Sequence, residues 1–271
     1  MKDAIRVRGL KKSYGNNMVL RGLDFQIEKG EVFALLGVNG AGKTTTLECI
    51  EGLRKYDSGK IRVNGKMGIQ LQSSSLPSHI KPMEAVKLFA KWNNTKIDYD
   101  TLNALGIREI EKLQYIQLST GQKRRLHLAL TLIGNPDIIF LDEPTAGLDV
   151  EGRLSLHKQI LNLKLHGKTI VLTSHDMAEV EALCDRIAIL NGGNIVFCGT
   201  ASELTDTLGR KYFIHLRTQK GEKYFETDNI EDTLISLLSE LRQKRIHVLD
   251  IKVNRGTLEQ HFIEMARREA K

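Results

Sequence analysis

EVFALLGVNGAGKTTTLECIEGL, at residues 31–53, is the part of the sequence that most narrowly constrains the architecture. The apolar run at 31–37 is typical of a buried β-strand, and TTTLECIEGL at 44–53 is typical of an α-helix. The residues between them, 37–44, fit the pattern G-x-x-x-x-G-K-[ST]. A strand, a glycine-rich loop and a helix in this order predict a phosphate-binding loop in an α/β domain.

The glycine-rich loop has a residue for each part of phosphate recognition. Gly37, Gly40 and Gly42 allow the backbone to bend so that its N–H groups converge on phosphate oxygens. Lys43 supplies a positive charge for the β- and γ-phosphates, and the Thr44 hydroxyl is a ligand for Mg²⁺. The other loop residues that we predict to contact the nucleotide are Asn39, Ala41 and Thr45.

Two acidic residues end another apolar run. IIFLDEP, at 138–144, is typical of a buried strand that ends in Asp142 and Glu143. In proteins with this kind of phosphate loop, a second carboxylate holds the Mg²⁺ site, which assigns the metal to Asp142. Because adjacent residues at a strand end point in different directions, we expect Glu143 to face an attacking water as its general base.

The composition is that of an ordinary globular chain with a basic surplus. Of 271 residues, 27% are charged, and the net charge is +7. This charge suits phosphate ligands, nucleic acid or an anionic membrane face, and it does not choose among them. No run approaches the roughly 20 apolar residues that span a bilayer, and the first residues lack the apolar core of a signal peptide. We therefore expect a cytoplasmic protein.

The first two hundred residues alternate strand-like and helix-like stretches. Further runs that are apolar on both faces predict a parallel core sheet covered by helices, and they lie at 138–142, 169–174 and 186–190. Stretches that alternate apolar and polar residues predict an antiparallel flank, and they lie at 5–10, 19–27 and 59–65. Helix-like sequence fills the middle section, 77–135, which has prolines at its entry and directly after its exit.

The C-terminal part predicts a second, smaller domain. A capping box from Thr200 to Glu203 predicts the start of a helix. The elements predicted after it are strands at 212–218 and 223–227, a helix capped at Asp228, a strand at 247–254 and a helix capped at Thr257. We therefore expect a first domain at 1–208, with a helical subdomain at about 77–135, and a ββαβα accessory domain at 209–271.

A short motif before the carboxylate strand is more specific than the phosphate loop. LSTGQ, at 118–122, opens a strongly helical stretch. Ser119 is a good N-cap, and Gly121 lets a phosphate approach the helix N-terminus, which makes a second anion site on the same chain. The block closely resembles LSGGQ, the signature of ATP-binding cassette (ABC) proteins. This resemblance assigns Ser119, Gly121 and Gln122 to nucleotide binding.

Other segments resemble further ABC motifs. Tyr14 in KKSYG resembles the aromatic residue that stacks on adenine, with Val19 beside it. Gln72 in GIQLQSSSLP resembles the glutamine of the Q-loop, which implies a role in metal binding and catalysis. Gln70 is an alternative to Gln72, since both residues fall on one face of a strand.

Two more motifs complete the set. Asp149 in GLD resembles the D-loop aspartate, and His175 in TSHDM resembles the switch histidine, so that seven motifs follow the order of the family. The sequence departs from the family at two places. Thr120 replaces the first glycine of LSGGQ, a position that tolerates variation, and Val38 replaces a frequent proline whose side chain touches no phosphate.

The resemblance implies a fold and a mechanism. The fold is the ABC cassette of P-loop NTPases, in the α/β class, with a mostly parallel core sheet, an antiparallel flank and a helical subdomain, followed by a small α+β domain. The ligands are ATP and Mg²⁺, and the catalytic residues are Glu143, His175, Lys43 and Gln72. Because the signature of one subunit covers the γ-phosphate held by another, one loop and one signature imply a homodimer or a pairing with a second ATP-binding subunit.

The resemblance also implies a membrane partner. Gln72 and the helical section after it are expected to pass motion to an integral membrane permease, which holds the protein on the inner face of the cell membrane. TLEQHF, at 257–262, partly resembles the SLEDVF tail common among drug and antibiotic exporters. This resemblance implies an ATP-hydrolysing motor for export of a drug, antibiotic or lipid-like substrate, and import is one alternative. A DNA-associated ABC ATPase is another, but no heptads continue between loop and signature, and we expect no nucleic acid partner.

Overall fold

The computed structural model describes residues 3–70, 75–174, 176–207 and 212–255. Its strands are β1 (Asp3–Tyr14), β2 (Asn17–Glu28), β3 (Val32–Gly37), β4 (Ser58–Val63), β5 (Met67–Gln70), β6 (Ile138–Asp142), β7 (Thr169–Thr173), β8 (Arg186–Asn191), β9 (Asn194–Gly199), β10 (Tyr212–Thr218), β11 (Gly221–Thr227) and β12 (Val248–Arg255). Its helices are α1 (Lys43–Ile50), α2 (Pro82–Trp92), α3 (Tyr99–Ala104), α4 (Thr120–Leu132), α5 (Val150–Leu165), α6 (Met177–Leu183), α7 (Ala201–Thr207) and α8 (Ile230–Gln243). Among the described residues, no helix has both the length and the apolar character that crossing a membrane requires.

The strand before the glycine-rich loop lies inside a six-stranded sheet with the order β5-β6-β7-β3-β8-β9. β3 pairs in parallel with β7 and β8, and β6 pairs in parallel with β5 and β7. Every residue of β3 and β7 is buried, as expected for a parallel sheet covered on both faces. The pairing confirms the predicted core sheet. It brings the carboxyl ends of β3, β6 and β7 to one edge.

The antiparallel flank is a three-stranded sheet with the order β2-β1-β4. Alternate residues of β1 and β2, among them Ile5, Val7 and Phe25, join the same hydrophobic cluster as the central sheet. Phe25 stacks on Phe33 of β3 with ring centroids 5.9 Å apart. The predicted flank is therefore confirmed, and it shares one core with the parallel strands.

Short-range hydrogen bonds define the ends of the helices in the middle section. Pro82 lies in the first turn of α2, where backbone N–H groups have no acceptor within the helix, so that proline costs no hydrogen bond there. The Lys81 N–H donates to the Glu84 carboxylate at 2.8 Å. At α3, the Asp98 carboxylate accepts the backbone N–H groups of Asp100 and Thr101. Two short 3₁₀ turns, Arg108–Ile110 and Tyr115–Gln117, lie between α3 and α4. These elements form the predicted helical section.

The chain divides into two compact units, 1–198 and 199–271. The break falls before the capping box of α7, in which Thr200 and Glu203 exchange hydrogen bonds, whereas the sequence places the domain boundary after residue 208. In the second unit, the antiparallel sheet β11-β10-β12 packs Ile214 and Leu216 against Leu241 of α8. The helix predicted from Thr257 lies outside the described residues.

The start of α8 differs by one residue from the sequence prediction. Asn229 is the N-cap, because its side chain accepts the N–H of Asp232 at 3.2 Å. The N–H of Asn229 in turn donates to the Thr227 hydroxyl at 3.0 Å. The prediction of a cap at Asp228 is therefore wrong, because the N–H group that is capped belongs to Asp232 and its acceptor is the Asn229 side chain, three residues earlier.

Candidate functional site

The loop between β3 and α1 depends on its glycines at two places. Gly42, the N-cap of α1, has a φ of 107°, and a Cβ there would lie 2.7 Å from Cδ2 of Leu20. A Cβ on Gly37 would lie 2.6 Å from the carbonyl oxygen of Leu190. Larger side chains would have to displace these neighbours. The first N–H groups of α1, which have no partner within the helix, are thereby presented for anion binding.

Lys43 folds back over the loop that precedes it. Its Nζ donates to the carbonyl oxygens of Gly37 at 2.7 Å and Val38 at 3.3 Å. Desolvation lowers the pKa of Lys43 below the ordinary value of 10.5, and the carboxylates of Glu143 and Asp142 oppose this shift. The ammonium group therefore rests on backbone acceptors that phosphate oxygens can replace.

One hydroxyl connects the two strand-end carboxylates. Thr173, the last residue of β7, donates its Oγ1–H to Asp142 Oδ1 at 2.5 Å. The Oγ1 of Thr173 in turn accepts the backbone N–H of Glu143 at 3.0 Å. Glu143 has a φ of 47°, in the left-handed region that is rare outside glycine, so the chain turns sharply where the acidic pair leaves the strand. Thr173 holds both acidic residues at the same sheet edge.

The phosphate loop and the acidic pair line one cavity of about 420 Å³. The predicted site residues that line it are Val19, Asn39, Gly40, Gly42, Lys43, Thr44, Thr45, Asp142 and Glu143. Gly37 and Ala41 are buried rather than lining. Asn17, which sequence reasoning missed, also lines the cavity. Tyr14 pairs with Asn17 across the β1–β2 turn, and the residue is 42% exposed.

The signature segment lines a second cavity, of about 430 Å³, at the start of α4. The Ser119 hydroxyl accepts the N–H of Gln122 at 3.3 Å, and the Gln122 side chain accepts the N–H of Ser119 at 2.9 Å. Asp149 caps α5 in a related way by accepting the N–H of Gly152 at 2.8 Å. Gly121 lines the same cavity, so the four predicted signature and D-loop residues lie together.

The two cavities have no lining residue in common. The loop cavity is lined by the Lys43 ammonium group and the acidic pair, Asp142 and Glu143. The signature cavity is lined by the capped N-termini of α4 and α5. Each arrangement has groups suited to phosphate or metal, and among the described residues the two arrangements line separate cavities.

Comparison with known proteins agrees with this geometry. The sequence pattern of the ABC transporter family matches residues 20–146. The linearmycin resistance ATP-binding protein LnrL of Bacillus subtilis is 30% identical, over 97% of this chain and 98% of its own. The chain belongs to the ABC transporter family. The daunorubicin resistance ATP-binding protein DrrA3 of Streptomyces coeruleorubidus is also 30% identical, over 97% of this chain and 95% of its own.

Solved structures support the fold of this ABC protein. A nucleotide-free ATP-binding cassette from an ABC transporter matches with a TM-score of 0.69 at 21% identity, covering 76% of this chain and 95% of that one. The ATP-binding subunit of another ABC transporter matches with a TM-score of 0.67 at 24% identity, covering 76% of this chain and 93% of that one. At these identities the likeness establishes the ABC cassette fold alone.

The donor set of the loop cavity suits Mg²⁺ bound together with a phosphate. Thr44 and Asp142 both line the cavity, and hydroxyl and carboxylate oxygens are ligands that Mg²⁺ accepts. Among the described residues, no three His, Cys, Asp or Glu side chains cluster in a way that could hold a metal. A Mg²⁺ ion that takes one or two protein ligands and completes its shell with phosphate and water fits this ABC protein.

Two predicted residues of the ABC site, Gln72 and His175, lie outside the described residues. Gln70, the alternative to Gln72, is buried at the end of β5. Next to His175 in the chain, the Ser174 hydroxyl donates to the buried Glu179 at 2.5 Å and accepts the N–H of Asp176 at 3.0 Å. These bonds tie the end of β7 to the start of α6.

Sequence reasoning missed two polar residues near the acidic pair and the loop. The only signal for Thr173 was its place at the end of the apolar run TIVLTS, and the only signal for Asn17 was its place in a turn after Tyr14. Neither residue belongs to a short motif with a known chemical role. Pairing of β7 with β6 places Thr173 beside Asp142, and the β1–β2 hairpin brings Asn17 to the loop cavity.

Proposed function

We propose that this ABC protein is the ATP-hydrolysing motor subunit of a transporter and works as a dimer that closes around two ATP molecules. The observation that carries the proposal is the separation of the phosphate loop and the signature into two cavities on one chain. A second chain that presents its signature to this loop completes the site. Homodimerisation, or pairing with a second ATP-binding subunit, meets that need.

Within the loop cavity, each residue has a role in phosphoryl transfer. Lys43 and the N–H groups of α1 bind the β- and γ-phosphates. Thr44 and Asp142 would hold Mg²⁺, and the ion would supply positive charge against the negative charge of these phosphates. Glu143 orients or deprotonates the attacking water. The Thr173 hydroxyl keeps the Asp142 carboxylate and the Glu143 backbone in fixed relation during this step.

The remaining nucleotide contacts come from both chains of the dimer. Tyr14 stacks on the adenine base, and Val19 lies beside it. From the opposite chain, the Ser119 hydroxyl and the Gly121 N–H bind the γ-phosphate, which replaces the capping partner of Ser119. His175 and Gln72, which the resemblance to ABC motifs assigns to catalysis, would add a contact to the transferring group and a ligand for the metal. Loss of the γ-phosphate removes the contacts in trans, and the dimer opens.

The helical section supplies a surface for the membrane permease. Leu88 and Trp92 are 48% and 77% exposed, and since they stand four residues apart on α2 they lie on one face. Ile116, 60% exposed, donates its N–H to the carbonyl of Ser78, close in the chain to the segment that contains Gln72. Exposed apolar side chains in this number support a protein interface. Binding there places the protein on the inner face of the cell membrane.

The proposed direction of transport is export of a drug, antibiotic or lipid-like substrate. Two relatives that align over nearly the whole chain are named for resistance to linearmycin and daunorubicin. The Nod factor export ATP-binding protein I of Rhizobium etli is 35% identical over 76% of this chain. Among the described residues of the second unit, no three His, Cys, Asp or Glu side chains cluster in a way that could hold a metal, and we propose that residues 209–271 act as an accessory domain.

A dimerisation experiment tests the proposal. Glu143→Gln is expected to bind ATP and Mg²⁺, to lose most hydrolysis, and to run as a dimer in size-exclusion chromatography only when ATP is present. Adding Ser119→Arg fills the signature cavity and is expected to abolish the dimer while each chain still binds ATP. Ser58→Arg, on the exposed part of β4, is the matched control. A dimer that persists with Ser119→Arg contradicts the composite site.

A second experiment tests the permease surface. Trp92→Ser is expected to leave ATP binding unchanged and to reduce co-purification with a multi-span membrane protein in mild detergent. Tyr56→Ser, an exposed aromatic residue away from α2, is the control. Equal recovery of the membrane protein with both variants would place the interface elsewhere.

A further inference from the structure

We propose that Arg54 and Lys12 are positioning residues that hold the Tyr14 ring ready for the adenine base. The inference rests on the proposed ATP site and adds to it two cations to which the sequence motifs assign no nucleotide contact: Arg54, and Lys12 in the segment KKSYG. Neither side chain lines the loop cavity, so their action is through Tyr14.

The contacts with the ring are cation–π interactions. Arg54 Cζ lies 5.4 Å from the centroid of the Tyr14 ring, and Lys12 Nζ lies 5.3 Å from it. Both distances are within the roughly 6 Å over which the ring quadrupole attracts a cation. Tyr14 as a whole residue remains 42% exposed, which leaves room for a base to stack on its ring.

Each cation is fixed by a carboxylate. Arg54 Nε donates to Glu48 Oε2 at 2.5 Å, and Lys12 Nζ donates to Asp57 Oδ1 at 3.2 Å. The other oxygen of Asp57 accepts the backbone N–H of Ser13 at 2.6 Å. The ring is therefore surrounded by side chains whose own positions are set by ion pairs.

These ion pairs connect the base end of the site to its phosphate end. Glu48 lies on α1, the helix that begins with Lys43, and Arg54 follows the end of that helix. Asp57 donates its N–H to the carbonyl of Lys11, which ties the segment after α1 to β1. The helix that binds the phosphates thus also carries Glu48, the carboxylate that holds Arg54 beside the stacking ring.

Orientation of the ring matters because binding otherwise has to immobilise it. An exposed tyrosine loses side-chain freedom when a base stacks on it, and a ring that is already held loses less. This gain applies equally to bound ATP and to the transition state, since adenine takes no part in the reaction. Loss of Arg54 is therefore expected to raise KM and to leave kcat unchanged.

The experiment compares ATP hydrolysis and ATP binding by Arg54→Ala, Lys12→Ala and the parent protein. Arg54→Ala is expected to raise KM about three- to fivefold, the effect of one partly exposed cation–π contact. Lys55→Ala removes the same charge from the next residue, which is exposed, and is expected to leave KM unchanged. Glu48→Gln, which releases Arg54, is expected to reproduce part of the effect.

A double-mutant cycle separates positioning from a general structural role. In the Tyr14→Ala background, Arg54→Ala is expected to have no further effect on KM, because no ring remains to be held. A full additional rise there, or an equal rise with Lys55→Ala, would overturn the inference while ATP binding by the parent stands. Failure of the parent protein to bind ATP would instead overturn the proposed function.

Discussion

Thr173→Val isolates the hydroxyl that connects the two acidic residues. The hydroxyl donates to Asp142 Oδ1 at 2.5 Å and accepts the N–H of Glu143 at 3.0 Å, and Thr173 is completely buried. Valine keeps the shape of the side chain and its β-branching, so the packing of β7 is expected to survive. What changes is the loss of both hydrogen bonds in one step.

The two bonds set the size of the effect. A neutral hydrogen bond contributes about 1 kcal/mol, and one to a charged group about 1.5–3 kcal/mol. The free energy of unfolding of the first unit is therefore expected to fall by about 2–4 kcal/mol. The same hydroxyl anchors Asp142 and Glu143. If its loss raises the activation free energy by about 1.4 kcal/mol, kcat falls about tenfold. KM for ATP is expected to change little.

Two measurements check this prediction. Urea unfolding can be followed by the fluorescence of the single tryptophan, Trp92, which lies in the first unit. Steady-state ATP hydrolysis gives kcat and KM. Thr173→Ser retains the hydroxyl and is expected to keep most of the parent's kcat. If Thr173→Val hydrolysed ATP as fast as the parent, the argument that this hydroxyl positions the acidic pair would be refuted.

Three further predictions concern stability and the loop. Burial, then repulsion by Asp142 and Glu48, raises the pKa of Glu51 to about 7. Between the ordinary carboxyl value of 4.5 and about 7 the folded state therefore holds more protons, and stability falls as pH rises. Glu51→Gln is expected to raise the free energy of unfolding by about 1–2 kcal/mol at pH 8, a value reduced for solvent screening, with little change at pH 5. Gly42→Ala, which brings a Cβ to 2.7 Å from Leu20, is expected to abolish ATP binding in a fluorescent-nucleotide titration. Asn229→Ala is expected to lower the free energy of unfolding of the second unit by about 1 kcal/mol, measured by circular dichroism in urea.

Matched variants separate these effects from general damage. Glu28→Gln changes an exposed carboxyl and is expected to leave the free energy of unfolding at pH 8 close to that of the parent protein. Gly52→Ala also introduces a side chain at positive φ but has open space around it, so ATP binding is expected to persist. Asp228→Ala changes the residue that the sequence predicted as the cap and is expected to leave the free energy of unfolding of the second unit nearly unchanged. The structural assignments fail if any of these controls behaves like its partner variant.

Sequence reasoning reached furthest where a feature depends on neighbouring residues. The capping box of Ser119 and Gln122 closes within three residues, and the strand before Gly37 is recognisable from its own apolar run. The error at Asp228 has the same local character, because Asn229 and Asp228 are both good capping residues and differ only in which one faces the donor.

Features that join distant segments were not accessible in this way. Thr173 and Asp142 are 31 residues apart in the chain, with α5 between them. Arg54 contacts the Tyr14 ring only because the segment after α1 returns to β1. The phosphate loop, the helix caps and the strand types follow from dihedral preferences and hydrogen bonds that span a few residues. Packing between remote residues determines the strand order, the hydroxyl shared by the acidic pair and the separation of the phosphate loop from the signature. These interactions form only when distant segments come together, so no single segment of sequence predicts them.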